Sequence, residues 1–354
     1  MVDKVGAMHG PTLFMNRMRT VACFPKSVRV CTPSLGDIAL VRKDKKKLIV
    51  ARLDGVYYYQ LSGPSIFGIL RQRQSSVVPF VSWLTCLPSL PDILSVAFNH
   101  HLNRGVRWLL KNADAIVFQS ELSRRMHLTF LGYNPKRVPE TIIFNGVDLS
   151  EFTPKLGSKL EGMPAVIISA SIYRLHKRLQ DGIRLVNFLS REFPNIRLHV
   201  LGDFDPLVRD VLKSLDTSRC IFHGGITPAL LPAFYAGADI QLSLTIFDAC
   251  PNVVCEGLAS GLPVVTPIES GAAELVGEKN RRWCVEEGLA FEYRSLHVAS
   301  CIPHAPLERY ALVVKEIIYD LRMQKQHARA RAEEVLNIQS VARQYEQFIT
   351  QYLQ

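Results

Sequence analysis

AGADIQLSLTIFDACPNVVCEGLASGLPVVTPIESGAAELVG, residues Ala236 to Gly277, is the stretch on which the fold turns. Its apolar run Ile240 to Leu244 predicts a strand, then a loop, a helix and a second apolar strand from Pro263 to Thr266. Pro251 suits the first helical position, where its missing N–H would have no partner anyway. Gly261 suits the left-handed residue that ends a helix. The turn Glu269-Ser270-Gly271 predicts a second helix starting near Ala272. Two helix N-termini, each following a strand and facing one crevice, make an anion site.

Asp248 and Glu256 flank seven residues, one in the loop and one in the second turn of the helix. A carboxylate repels a phosphate, so its natural partners there are hydroxyl pairs such as a ribose diol. With these residues the stretch resembles the donor-site segment of the retaining glycosyltransferases of family 4. The likeness is carried by Asp248, Pro251-Asn252-Val253-Val254, Glu256, Gly257-Leu258-Ala259 and Gly261-Leu262-Pro263-Val264-Val265. The first acid of that family is usually Glu; Asp248 is one methylene shorter, which bears on the donor sugar. The resemblance implies an α/β GT-B fold, two Rossmann-like parallel-sheet domains facing a central cleft. It divides the chain into an acceptor-side domain at 1–152, a linker at 153–164 and a donor domain at 165–336. A last helix at 337–354, marked by Tyr345, Phe348 and Tyr352, is expected to pack back on the first domain.

Length and composition agree with two globular domains: 354 residues, 48% hydrophobic and 21% charged. No run of about 18 apolar residues predicts a membrane span, and the opening residues lack a signal-peptide pattern. The eight cysteines show no Cys-x-x-Cys pair and no metal-ligand spacing, so they read as reduced apolar fillers. The expected location is cytoplasmic, with or without peripheral contact on the cytoplasmic face of a membrane. Charge is uneven. Residues 1–150 hold 20 Lys and Arg against 9 Asp and Glu, so the whole excess of +10 lies in the first half. Either an anionic partner or a solvated basic face follows from that. No nucleic-acid motif accompanies the charge, and no nucleic acid is expected.

Along the chain, Gly10-Pro11-Thr12 enters a helix through Met18 and resembles the family's glycine loop under the donor diphosphate. A strand at Ile38 to Val41, a basic turn at 42–47 and a strand at Leu48 to Ala51 lead to Arg52-Leu53-Asp54-Gly55. Asp54 ends a buried strand, where open α/β sheets place ligand contacts; the alternative is a turn residue bonded to its own backbone. Trp83, Leu84, Leu87, Leu90 and Leu94 form an acceptor-binding or membrane-facing element between prolines. His100 and His101 open a helix to Lys111 and read as surface, cap or base residues. A strand within Asn112 to Ser120, a helix from Glu121 and the tight turn Asn145-Gly146 close the first half.

Ala165 to Ser171 is a continuous apolar strand, as in parallel sheets. Arg174, Lys177 and Arg178 follow at a strand-to-helix turn, a positive cradle for a diphosphate. The resemblance assigns this role to Lys177 and to an Arg five positions before it. Ile172 holds that place here, so Arg174 or Arg178 substitutes. Gly224 would flank the nucleotide base, and the amides after Glu269-Ser270-Gly271 would meet a phosphate. One amphipathic helix is expected from Leu307 to Leu336.

The resemblance thus implies transfer of a sugar from a nucleoside-diphosphate sugar, UDP or GDP first among them, to a glycan, lipid-linked or other hydroxyl acceptor. Asp54, Arg174, Lys177 and Asp248 are the expected catalytic set. Gly10, Arg174, Lys177, Gly224, Asp248, Pro251, Asn252, Val253 and Glu256 are the expected donor-binding set. It implies no metal and no cofactor beyond the donor. Two alternatives stand beside transfer: a nucleotide-sugar epimerase of the same fold, and a degenerate, non-catalytic binding subunit.

Overall fold

The computed structural model describes residues 10–33, 37–40, 47–56, 103–135, 138–154, 166–246, 248–288 and 303–353. Outside them lie Val2 to Ala7, most of the basic turn, the Trp83–Leu94 element, His100, His101 and most of the 153–164 linker.

Two parallel sheets carry the chain. The first runs β1 (Val28–Cys31), β2 (Leu48–Leu53), β3 (Ala115–Phe118) and β4 (Glu140–Ile142), in that spatial order. All its pairings are parallel. Its central strand β3 is buried at every position, as expected where helices cover both faces. β1 is a finding of the structure: its sequence, VRVC, is too short to stand out in a list of apolar runs. Residues 37–40, expected to begin a strand at Ile38, are helical. Asp37 there bonds the Thr32 backbone N–H at 2.9 Å, closing a turn at the end of β1.

The second sheet consists of β5 (Val166–Ala170), β6 (Arg197–Leu201), β7 (Cys220–Gly224), β8 (Ile240–Leu242), β9 (Val264–Pro267) and β10 (Cys284–Val285). Its order is β10-β9-β8-β5-β6-β7, again parallel throughout. The chain therefore builds outward from β5 through β6 and β7, then returns to the other side of β5 with β8. Such a reversal opens a crevice at the carboxyl ends of the two central strands.

The expected single helix from Leu307 to Leu336 is two, Leu307–Tyr319 and Leu321–Val335, broken at Asp320 (φ −130°, ψ 35°). The first packs on the Leu179–Leu189 helix and the second on the Asn252–Ala259 helix. A straight helix could not dock on both. The last helix, Ile338–Leu353, crosses to the first sheet. There Val341, Tyr345, Phe348 and Ile349 share a core with Phe14, Met18, Val50 and Ala115. Tyr352 stays exposed. The crossing is fixed by Val147, whose N–H donates to Leu336 O at 2.8 Å and whose carbonyl accepts from Ile338 N at 3.0 Å. Gly146 permits it: a Cβ there would stand 2.8 Å from the Ile338 Cα.

Candidate active site

A recess opens at the strand-order reversal. Ser169 and Ser171 line it from the end of β5, Ser243 and Thr245 from the end of β8, with Lys177 and Asp248 at its polar wall. Lys177 ends a one-turn 3-10 helix, Leu175–Lys177, and its Nζ lies 2.7 Å from Asp248 Oδ2. Two expected site residues, 71 positions apart, are thus an ion pair. Pro251 and Val253 also line the recess.

Arg174 and Arg178 part company. Arg174 is exposed on the turn before Lys177. Arg178 is buried in a left-handed conformation (φ 52°) and faces the core. Its Nε donates to Leu244 O at 2.8 Å, and its two terminal nitrogens reach the Glu287 carboxylate at 2.7 and 2.5 Å. With its fork filled by a buried carboxylate, Arg178 is no phosphate ligand. That corrects the sequence expectation and leaves Arg174 as the second cation of the turn.

The helix after the loop begins one residue later than expected. Pro251 is its N-cap (φ −68°, ψ 119°), Asn252 its first residue, and no side chain caps it. The Val254 and Cys255 N–H groups donate to Pro251 O at 3.0 and 3.3 Å and close the first turn. Gly261 is left-handed (φ +74°) just past the helix end, as the sequence required. The second helix, Gly271–Val276, differs. The Gly271 N–H donates to Asp248 O at 3.0 Å, Ala272 N to Ser270 Oγ at 3.2 Å and Ala273 N to Ser270 O at 3.0 Å. Its first amides are thus occupied within the protein, against the expectation that they would meet a phosphate.

Glu256 sits inside that helix, 1% exposed. Its partner comes from the other domain: Arg17 Nη2 donates to Glu256 Oε1 at 2.8 Å. Burial pushes the Glu256 carboxyl above its ordinary range, and Arg17 opposes the shift. Gly224 ends β7 with φ +67°, and its carbonyl accepts from Gly202 N at 2.7 Å; it does not line the recess. Gly10 is the first residue of the Gly10–Val21 helix.

Asp54 lies at the end of β2, held by Arg52 Nη1 and Gln119 Nε2. Burial raises its carboxyl pKa, Arg52 lowers it, and the Asp248 carboxylate raises it further. Arg52 is fully buried over the Phe14 ring, 4.2 Å from its centroid. Its other nitrogen donates to Asn145 Oδ1 at 2.6 Å. Asn145 joins the halves of the molecule: its Nδ2 reaches Cys250 O at 2.9 Å and Asn252 Oδ1 at 2.8 Å, in the site loop and helix. A second tie runs from Glu274, which accepts from the backbone N–H groups of Glu121 and Leu122 at 2.7 and 2.8 Å. It caps the Glu121–Leu131 helix from across the cleft. Arg17, Asn145 and Glu274 escaped sequence reasoning in these roles, because each acts on a partner more than a hundred residues away.

Residues 155–294 match the family described as glycosyl transferases group 1. A putative colanic acid biosynthesis glycosyltransferase of Salmonella typhimurium is 26% identical over 205 residues, 55% of this chain and 50% of its own length. Alpha-monoglucosyldiacylglycerol synthase of Streptococcus pneumoniae is 24% identical over 189 residues, 49% of this chain and 42% of its own. The chain spans about half the length, or less, of these curated relatives. Among solved structures, sucrose-phosphate synthase from Thermosynechococcus elongatus aligns with a TM-score of 0.60 at 15% identity, over 96% of this chain and 77% of its own. Anabaena HepE in complex with UDP aligns with 0.60 at 14% identity, over 96% and 81%. These likenesses establish the GT-B fold. The recess with Lys177 and Asp248, and Glu256 in the helix beside it, lie within the matched stretch, while Arg17, Asp54 and Asn145 lie outside it.

Proposed function

We propose that the chain transfers a sugar, with retention at the anomeric carbon, from a nucleoside-diphosphate sugar to a hydroxyl of a glycan, lipid-linked or other acceptor. The observation that carries this is the Lys177–Asp248 pair at the strand-order reversal, beside an uncapped helix that holds a buried carboxylate. Lys177, exposed Arg174 and the first amides of the Asn252 helix neutralise the charge that grows on the leaving diphosphate. Asp248 receives the sugar and Glu256 the ribose hydroxyls. Asp54 faces the sugar from the first domain. Arg52 and Gln119 hold it in place. The chemistry needs neither a metal nor a cofactor beyond the donor. Domain closure around the donor completes the site.

UDP is the first nucleotide to try, since HepE was solved with it; GDP is the second. The positive first half suits an anionic acceptor or a peripheral membrane surface. The test is thermal melting with UDP, GDP and ADP and their glucose conjugates, with EDTA present, on the natural chain and Glu256→Ala. A nucleotide at a hundred times its dissociation constant stabilises by about 2.7 kcal/mol. A shift with one base, lost in the variant, is expected, followed by product analysis for a glycosylated acceptor. A donor epimer formed without acceptor would replace transfer with epimerisation. No shift with any nucleotide would make the chain a degenerate member of its fold.

A further inference from the structure

Arg17 lies on the first-domain helix and meets Glu256 across 239 positions of sequence. Neither head belongs to the solvent: the Arg17 side chain is 13% exposed and that of Glu256 2%. The guanidinium lies 5.6 Å from the centroid of the Phe152 ring, which limits its orientations. Its Nη1 is buried with no hydrogen-bond partner among the described residues. A guanidinium kept only as a strut is expected to have its donors filled. A buried pair is also a poor strut, because apolar residues of the same volume hold a core as well or better. What the pair does is act on Glu256. Burial alone favours the neutral carboxyl, which accepts fewer hydrogen bonds than the carboxylate. Arg17 favours the ionised form and fixes one oxygen, Oε1, in place.

We propose that Arg17 positions Glu256 to accept the ribose hydroxyls of the donor, so that ribose recognition is assembled only when the two domains close on each other. This rests on the nucleotide-sugar reading above. It assigns Arg17 a positioning role and makes the closed site selective for ribonucleotides over their deoxy counterparts. Open, the second domain retains Lys177 and the helix amides for the diphosphate but has an unsupported Glu256. Selectivity for the sugar of the nucleotide, not affinity for its phosphates, therefore depends on Arg17.

The experiment measures dissociation constants of UDP, GDP and ADP and of their 2′-deoxy and 2′,3′-dideoxy counterparts by calorimetry. The full chain is used, natural and with Arg17→Leu or Arg17→Lys. The ratio of ribo to deoxy affinity is read on a single sample, so a partly destabilised variant remains informative. Arg17→Leu is expected to weaken the preferred ribonucleotide about tenfold and leave the dideoxy form within about twofold, with Arg17→Lys recovering part of the loss. Equal weakening of both forms, or no change in either, would overturn the proposal while leaving nucleotide binding intact. If the natural chain binds none of the nucleotides, the functional reading falls first and this inference with it.

Discussion

Lys177 and Asp248 are 20% and 26% exposed, so their pair contributes little to stability. In the proposed transfer its value lies in the charge it offers the donor. Lys177→Met is therefore expected to lower kcat for transfer by about a hundredfold or more, with an almost unchanged melting temperature. Steady-state kinetics and melting on one preparation check this; a variant that melts early yet turns over normally would reverse the assignment. His127 is the opposite case. It is buried, hydrogen-bonded through Nδ1 to Ser123 O at 2.7 Å, and burial pushes its pKa down to about 4. Its folded value lies below the unfolded one, so the unfolded chain binds the extra proton as pH falls. Stability is full above about 6.5 and is lost between there and about 4. Between pH 7 and 5 this site should cost the natural chain about 2 kcal/mol. Urea titrations of the natural chain and His127→Phe should show the slope reduced in the variant. A slope left unchanged would assign the acid sensitivity elsewhere, with buried His176, also shifted down, as the next candidate.

The two helices around the site were legible as elements, but their division of labour was not. Both follow strands and both have a turn residue that permits a tight start. The second is filled because Gly271 packs its backbone against the loop that carries Asp248. A Cβ at Gly271 would stand 1.9 Å from Ala249 O and 2.7 Å from Asp248 O. Gly271→Ala must displace either the helix or the Asp248 loop. It is expected to cost about 2 kcal/mol of stability or more and to weaken nucleotide binding in parallel. Melting and a nucleotide titration test the coupling, which fails if affinity survives the loss of stability. Arg174 and Arg178 make the same point. Three cations at a strand-to-helix turn look alike in sequence, but the left-handed conformation at Arg178 turns it toward Glu287.

Across the whole molecule, Arg17, Asn145 and Glu274 tie the first sheet to the second. Glu274 does so by capping a helix that belongs to the other domain. Glu274→Ala leaves those amides without their acceptor and should cost about 1 kcal/mol, the usual worth of a cap. The larger effect expected is on domain closure. Small-angle scattering should show a larger radius of gyration for Glu274→Ala than for the natural chain, with Glu274→Gln between them. Identical scattering for all would confine Glu274 to local capping.

Sequence alone determined that the chain is α/β and that two acids, eight positions apart, stand in a loop and the helix that follows it. Those features are local. A strand, a helix and the turn joining them are set by apolar period, by Gly261 and by the residues at their ends, all within about forty positions. Tertiary structure decided which side chains answer one another. It gave Lys177 to Asp248, Arg17 to Glu256 and Arg178 to Glu287, and it broke the Leu307–Leu336 run at Asp320. The physical reason is that the free energy of a charge depends on burial and on partners within a few ångströms. Partners 71 and 109 residues apart come that close only once the second sheet has formed, and partners 239 apart only once the two sheets have met.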